Sequence, residues 1–216
     1  MRDELFDILV RAIVLVTAIP VHEAAHAFVA DRLGDPTARA MGRMSLNPVR
    51  HFDLLGSVSL LLIGIGWAKP VPINARNFDH PRAGMAISAA AGPAANLLMA
   101  LLTMILAKAA LFAGAGSRAA AVLYIVLLNM CLINISLAIF NLMPFPPFDG
   151  SRIYSAFLPQ KLYFGVMKYE KYILIAVLAL LWLGVLDGPL GFLNNALFRG
   201  LDVLTGWVDL LFGLGR

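Results

Sequence analysis

Three long apolar runs dominate this sequence, at 5–30, 83–112 and 120–142. A helix that crosses the hydrocarbon core of a bilayer needs about 20 predominantly apolar residues, and each run supplies them. The composition agrees, because 60% of the 216 residues are hydrophobic and only 14% are charged, against about 25% charged in typical soluble domains. The sequence therefore predicts an integral membrane protein built from helices.

Three shorter segments lie between the first and second long runs. The apolar run 54–66 is too short to cross a bilayer, since a crossing helix needs at least about 17 residues. The polar stretch 31–53 alternates loosely and predicts a short hairpin. The prolines at 70 and 72 favour an extended backbone over 67–74. Together these features predict a small extended or β layer beside the helical core.

The last part of the chain has a different pattern. The run 171–187 just reaches the lower length limit for a membrane helix. In the tail, 188–216, apolar residues recur at steps of three and four: Leu190, Leu193, Leu197, Leu201, Leu204, Val208 and Leu211. Such spacing predicts an amphipathic helix that either lies in the membrane interface or packs as a last crossing.

The charge pattern and the cysteine content exclude several kinds of partner and site. The net charge is +4, but aromatic and basic residues do not interleave on any segment, so we expect no nucleic-acid partner. Cys131 is the only cysteine, which excludes an internal disulfide and a thiolate metal cluster, and we expect it to be a small core residue. The mixed charges at the N-terminus do not fit a removable signal peptide, so we expect the first helix to remain.

The motif His22-Glu23-Ala24-Ala25-His26 lies in the first apolar run. Its histidines are four residues apart and therefore share one face of a helix. This is the zinc-binding HExxH arrangement, in which two imidazoles hold the ion and the glutamate takes a proton from a zinc-activated water. Burying several ionisable side chains in a membrane helix is costly without a compensating ligand. We therefore predict a Zn²⁺ site with His22 and His26 as ligands and Glu23 as the catalytic base.

A catalytic zinc site usually has three protein ligands and one open position. Asp149 is the predicted third ligand, because three prolines break the run 120–142 just before it and Gly150 follows it. Unwound backbone at membrane depth is tolerated only where protein buries it or where it lines a wet cavity. His51 remains an alternative ligand, whereas His80 fits a surface position.

The pair HEAAH and NLMPFPPFDG resembles the site-2 protease family of intramembrane zinc metalloproteases. Three further stretches resemble its compact bacterial and archaeal branch: GRMSLNPVRHFDLLGS at 42–57, GWAKPVPIN at 66–74 and AGPAANLL at 91–98. The resemblance covers about 15–155 and implies one zinc ion, held by His22, His26 and Asp149, with Glu23 as base. It also associates Asn141 with substrate handling. The chain has no room for the PDZ or CBS modules of many members.

Asn96 lies within the apolar run 83–112. Two roles remain open for its amide: a hydrogen bond to the substrate backbone or the developing oxyanion, or a hydrogen bond to a neighbouring helix. The stretch Val71 to Asn74 is a candidate for holding an unwound substrate by strand addition. Pro72 weakens that interpretation because it has no N–H to donate.

Topology follows from the need for HExxH and Asp149 to reach one ion. The helices that carry them must end on the same side, so 54–66 must enter and leave by one face as a re-entrant segment. Most Lys and Arg then lie on the metal side, and only Arg2, Lys108 and Arg118 lie opposite. The positive-inside rule puts the active site nearer the cytoplasm. We expect the plasma membrane of a prokaryote.

These inferences combine into one prediction: an all-α polytopic membrane protein with a helical transmembrane core, a small extended/β layer on the cytoplasmic side and a re-entrant segment. It forms a single domain over 1–216, with the catalytic core at about 5–155. We predict a zinc endopeptidase whose substrates are single-span membrane proteins. A divalent-metal transporter would not need Glu23, and a catalytically inactive scaffold would have lost Glu23 or a ligand. Both remain alternatives.

Overall fold

The computed structural model describes residues 2–63, 66–113, 116–159, 165 and 168–211. We number the α-helices bounded within them in chain order: α1 Arg2–Arg32, α2 Thr37–Ala40, α3 Leu54–Ile63, α4 Pro81–Ala113, α5 Arg118–Asn141, α6 Asp149–Ser155, α7 Glu170–Trp182, α8 Asp187–Leu204 and α9 Gly206–Leu211. Single 3-10 turns lie at Pro48–Arg50 and Ala75–Asn77.

Three of these helices are long and apolar enough to cross a bilayer: Ile8–Arg32 of α1, Pro81–Phe112 of α4, and α5. They correspond to the three long apolar runs, and the prediction of a helical membrane protein is confirmed. Helices α7 and α8 meet at 82° and add a fourth crossing if the bent pair is one span.

Helix α4 packs against α1, α5 and α6. Small residues line these contacts, since Ala18, Ala89, Ala100 and Ala138 are at most 1% exposed. Small side chains let membrane helices approach closely, and van der Waals packing then stabilises the bundle. Cys131 is fully buried in the cluster that joins α4 to α5, as expected for a core residue.

The amphipathic tail packs on this bundle through α8. Its apolar face covers the α4–α5 cluster with Leu190, Leu197, Phe198 and Leu201. Two acidic residues of the tail share a partner that the sequence did not predict. Lys108 Nζ of α4 lies 2.8 Å from Asp202 Oδ1 of α8 and 2.6 Å from Asp209 Oδ2 of α9. A lysine within a membrane helix is tolerated when it is paired in this way.

Helix α3 is too short to cross a bilayer. Its 10 residues reach only about 15 Å at about 1.5 Å per residue, half the thickness of a bilayer core. A Cβ on Gly56, in its first turn, would lie 2.1 Å from the carbonyl oxygen of Trp67, so the chain returns to where α3 starts. At the other end, Arg11 Nη1 of α1 donates to the Leu61 carbonyl at 3.3 Å.

The predicted β layer is wrong, because the described residues contain no strand. The stretch 31–53 forms α2 and a 3-10 turn instead of a hairpin. Side chains form hydrogen bonds with the backbone groups that a neighbouring strand would need. Arg43 donates to the carbonyls of Lys69 and Pro70, and Glu23 accepts from Val71 N–H. Residues 66–74 therefore cross the site as a single segment without a sheet.

Asp35, just after α1, anchors the far end of that segment. Its carboxylate accepts from the Asn74 N–H at 2.7 Å, and Thr37 and Asn77 donate to its other oxygen. Burial alone would raise the pKa of Asp35, but these hydrogen bonds hold the pKa below its usual value. The ionised carboxylate thus ties residues 74–77 to the end of the helix that carries the HExxH motif.

Candidate metal centre

The two motif histidines lie one above the other on α1. His22 and His26 are 9% and 6% exposed, and their rings meet edge to face with centroids 4.6 Å apart. Their Nε2 atoms are 3.0 Å apart. Pro20 lies two residues before the motif and is buried. It has no N–H, so the helical hydrogen bond to the carbonyl four residues earlier is absent.

Asp149 reaches the same point from the first position of α6. Its Oδ2 lies 3.1 Å from the Nε2 atoms of both His22 and His26. The adjacent glycine makes this approach possible, because a Cβ on Gly150 would lie 2.3 Å from the carbonyl oxygens of Leu142 and Met143. The chain therefore turns tightly enough after α5 to bring Asp149 against α1.

These three atoms have the chemistry that a zinc ion needs. His26 Nδ1 lies 2.7 Å from the Ser88 carbonyl, and because a carbonyl only accepts, Nδ1 carries a proton and Nε2 is the ring nitrogen that can bind an ion. Ligand atoms at 2.0–2.1 Å from one tetrahedral ion lie roughly 3.3 Å from each other, close to the spacing here. Lone pairs this close repel unless a cation or a proton lies between them, so the residues fit Zn²⁺.

Gly92 of α4 forms a wall of the site that the sequence analysis missed. A Cβ there would lie 2.4 Å from His26 Nε2 and 2.5 Å from His22 Cε1. The two imidazole rings can occupy their positions only because residue 92 has no side chain. The stretch AGPAANLL drew attention to Asn96, but no local pattern indicates that this glycine faces two histidines.

We expect Gly92→Ala to lose zinc while the protein stays folded. Alanine favours a helix by about 1 kcal/mol over glycine, so the collision with the rings is the harmful change. Metal analysis of the purified variant checks this. Gly200→Ala in α8 is the matched control, because nothing lies within 4 Å of a Cβ there. Full zinc occupancy in Gly92→Ala would contradict the close packing of α4 on the rings.

Glu23 lies in the same cavity as the three candidate ligand atoms. The Val71 N–H donates to its Oε2 at 3.0 Å. Its other carboxylate oxygen has no hydrogen-bond partner within the part of the chain that is described. One oxygen is thus held by the backbone, and the other is available to accept a proton.

The cavity has a volume of about 350 Å³ and lies between α1, α4, α5, α6 and residues 66–73. Asn96 is fully buried at its wall, and neither its Oδ1 nor its Nδ2 has a partner in the described structure. Asn141 also lines the cavity, and its Nδ2 donates to the Leu137 carbonyl at 2.9 Å. Both predicted substrate-binding asparagines therefore lie beside Glu23 and the candidate ligands.

The other two histidines are not brought to this point. His51 is fully buried in the loop before α3, where its Nε2 lies 2.7 Å from the Ser45 carbonyl. His80 is exposed just before α4. Among the described residues, the group of His, Cys, Asp and Glu side chains close enough to share an ion is His22, His26 and Asp149.

Comparison with known proteins agrees with this chemistry. The family model described as "Peptidase family M50" matches residues 110–184, which include Asp149. The "Putative zinc metalloprotease YwhC" of Bacillus subtilis (strain 168) is 36% identical over 173 residues, which cover 78% of each chain. The "Putative zinc metalloprotease Rip2" of Mycolicibacterium smegmatis is 30% identical over 135 residues, 60% of this chain and 50% of the relative. No solved structure matches the chain.

Proposed function

Because the chain belongs to peptidase family M50 and is a zinc-dependent membrane protease, we propose that it hydrolyses peptide bonds within the membrane-spanning segments of single-span proteins. His22, His26 and Asp149 hold the ion in this proposal, and Glu23 is the general base. The observation that carries it is the meeting of three candidate ligand atoms 3.0–3.1 Å apart in one cavity with the Glu23 carboxylate. His22, Glu23 and His26 lie on a helix long enough to cross a bilayer.

When bound, zinc supplies Lewis acidity, which polarises the scissile carbonyl and makes a water molecule nucleophilic. Glu23 accepts a proton from that water while the water oxygen forms a bond to the carbonyl carbon. The C–N bond then breaks, and Glu23 donates the proton to the departing amine nitrogen. The hydrogen bond from Val71 N–H keeps one Glu23 oxygen fixed during both transfers.

Asn96 is the residue that we assign to the substrate carbonyl. A buried amide without partners costs about 1–3 kcal/mol, so a reason is needed for its place in an apolar helix. Its Nδ2 can donate to the oxygen on which negative charge develops, and a preorganised donor of this kind is a large contributor to catalysis. In the same proposal, Asn141 accepts from a substrate N–H through its Oδ1.

We expect Asn96→Leu to keep zinc and lower kcat by about 10²–10³-fold, as the loss of one oxyanion donor does. Leucine is similar in size and removes two unpartnered polar atoms, so the fold should be at least as stable. Turnover and thermal unfolding of the purified variant check this. The control is Asn134→Leu, since Asn134 is equally buried but lies on α5 outside the cavity. Unchanged kcat in Asn96→Leu would remove this role.

The segment 71–73 is suited to hold an unwound substrate. In an extended backbone, the N–H and C=O groups of every second residue point to the same edge. The edge from which Val71 N–H reaches Glu23 therefore also carries the Val71 carbonyl and the N–H and carbonyl of Ile73. These three groups have no hydrogen-bond partner in the described residues. Pro72 belongs to the opposite edge, so its missing N–H does not oppose strand addition at the catalytic edge.

The proposed topology places the site toward the cytoplasm. The segment joining α1 to α4 lies on the proposed metal side and carries five basic residues, Arg39, Arg43, Arg50, Lys69 and Arg76. An excess of Lys and Arg in such a segment marks the cytoplasmic side under the positive-inside rule. The return of Trp67 to Gly56 supports a re-entrant α3 and one side for both flanking loops. The plasma membrane of a prokaryote is the membrane that we propose.

Cleavage in vesicles tests this function. The purified protein is reconstituted with a single-span substrate, and mass spectrometry locates the cut. We expect products cut inside the apolar span, loss of cleavage with a chelator, and recovery when zinc is restored. Cuts only in the soluble flanks, or zinc transport across the vesicle membrane without proteolysis, would contradict the proposal.

A further inference from the structure

Arg43 is a buried cation with an unusual set of partners. The residue is only 7% exposed, although arginine is rarely buried unless it is paired. Its Nη2 donates to the carbonyl oxygens of Lys69 and Pro70, the second at 3.3 Å. No carboxylate forms an ion pair with it in the part of the chain that is described. Both hydrogen bonds are made to neutral backbone groups 26 and 27 residues away.

The peptide that Arg43 holds leads directly to the catalytic base. Val71 follows Pro70, and its N–H donates to Glu23 Oε2 at 3.0 Å. On the other side of the held peptide, the Lys69 N–H donates to the His51 carbonyl at 2.9 Å. The loop that contains Arg43 and His51 thus fixes residues 69 and 70, and the next N–H fixes Glu23.

A structural role alone explains this arrangement poorly. Burying a cation against neutral carbonyls costs more than burying an apolar side chain of similar volume. Within the described ranges, residues 66–74 pair with no strand that would set their position. Pro70 and Pro72 cannot donate hydrogen bonds of their own. Both hydrogen bonds come from Nη2, whose two N–H groups lie in the plane of the guanidinium, so Arg43 can hold two successive carbonyls at a fixed angle.

We propose that Arg43 is a positioning residue for Glu23: its guanidinium fixes the Lys69–Pro70 peptide so that the Val71 N–H holds one oxygen of the Glu23 carboxylate. This inference rests on the proposed function, because it takes Glu23 as the general base. Arg43 does not line the catalytic cavity, and it acts on the reaction only through residues 69–71.

The test compares Arg43→Ala with Val71→Pro, which removes the N–H that reaches Glu23. Each variant is expected to keep zinc, to lower kcat by about 10–100-fold and to change KM by less than about threefold, since small misplacements of a catalytic group cost about this much. The double variant is expected to be no slower than the slower single variant, because both changes break one chain of contacts. Arg43→Lys should recover part of the loss.

Arg39→Ala is the matched control. Arg39 lies four residues earlier, in α2, its side chain is 61% exposed, and it pairs with Asp31 rather than with residues 69–71. We expect its zinc content and kcat to equal those of the wild type. If Arg43→Ala fails to fold, Arg43→Lys and Val71→Pro carry the test.

Three results would overturn the inference: an unchanged kcat in Arg43→Ala, a raised KM with unchanged kcat, or additive losses in the double variant. Glu23→Gln, assayed alongside, separates this inference from the proposed function. If Glu23→Gln retains full turnover, the general base is wrongly assigned. If only Glu23→Gln is inactive while Arg43→Ala and Val71→Pro are unaffected, the positioning role alone fails.

Discussion

Glu23→Gln is expected to leave zinc bound and to abolish cleavage. Glutamine has nearly the same shape, and its amide oxygen can still accept the hydrogen bond that Val71 N–H gives to Glu23. It cannot accept the proton from the attacking water, and a positioned general base typically contributes about 10²–10⁴-fold to the rate. Zinc content and turnover measured on the same purified sample check both halves of this expectation.

Glu170→Gln serves as the control for Glu23→Gln. Glu170 begins α7 and does not line the cavity, so its replacement should change neither zinc content nor turnover. Loss of metal from Glu23→Gln would make Glu23 a ligand and would contradict its role as base. Full cleavage by Glu23→Gln would contradict the proposed mechanism itself.

Asp149→Ala is expected to lose zinc and activity together. The substitution removes one of the three proposed ligand atoms and leaves the Nε2 atoms of His22 and His26 without the carboxylate that lies 3.1 Å from each. Mutating a residue that only hydrogen-bonds to a metal ligand lowers metal affinity by about 10–100-fold. The loss of a proposed ligand should therefore lower zinc affinity by more than that. Metal titration of the apoprotein measures the change in zinc affinity.

Asp79→Ala is the control for Asp149→Ala, because Asp79 is an exposed acidic residue before α4. It should bind zinc as tightly as the wild type. If Asp149→Ala kept full zinc occupancy and turnover, the ligand set drawn from α1 and α6 would be wrong. His51 would then be the next candidate, although its Nε2 lies against the Ser45 carbonyl.

The sequence predicted the parts of this protein that local rules determine. Apolar runs longer than a bilayer crossing predicted α1, α4 and α5, and the spacing of four between His22 and His26 predicted their shared face. Asp149 was predicted because a carboxylate after three prolines at membrane depth needs a partner. The zinc cofactor and the metalloprotease family are confirmed by the comparisons, while the roles of individual residues remain proposals.

The features that the sequence did not predict depend on contacts between distant residues. Loose alternation over 31–53 indicated a hairpin, but Asp35, Arg43 and Glu23 satisfy the backbone groups that strands would have shared. The attachment of the tail was missed for the same reason, since Lys108 meets Asp202 and Asp209 about a hundred residues later. Gly92 carries no local pattern, and only its place against two imidazole rings gives it a role.

X-ray absorption at the zinc edge of the purified, zinc-loaded protein tests the proposed ligand set. We expect nitrogen and oxygen ligands at about 2.0–2.1 Å, with the outer-shell signal of two imidazoles, from His22 and His26. A third imidazole would bring in His51 or His80 and remove Asp149 from the site. A sulfur ligand at about 2.3 Å would implicate Cys131, the only cysteine in the chain, and would contradict the proposed metal centre.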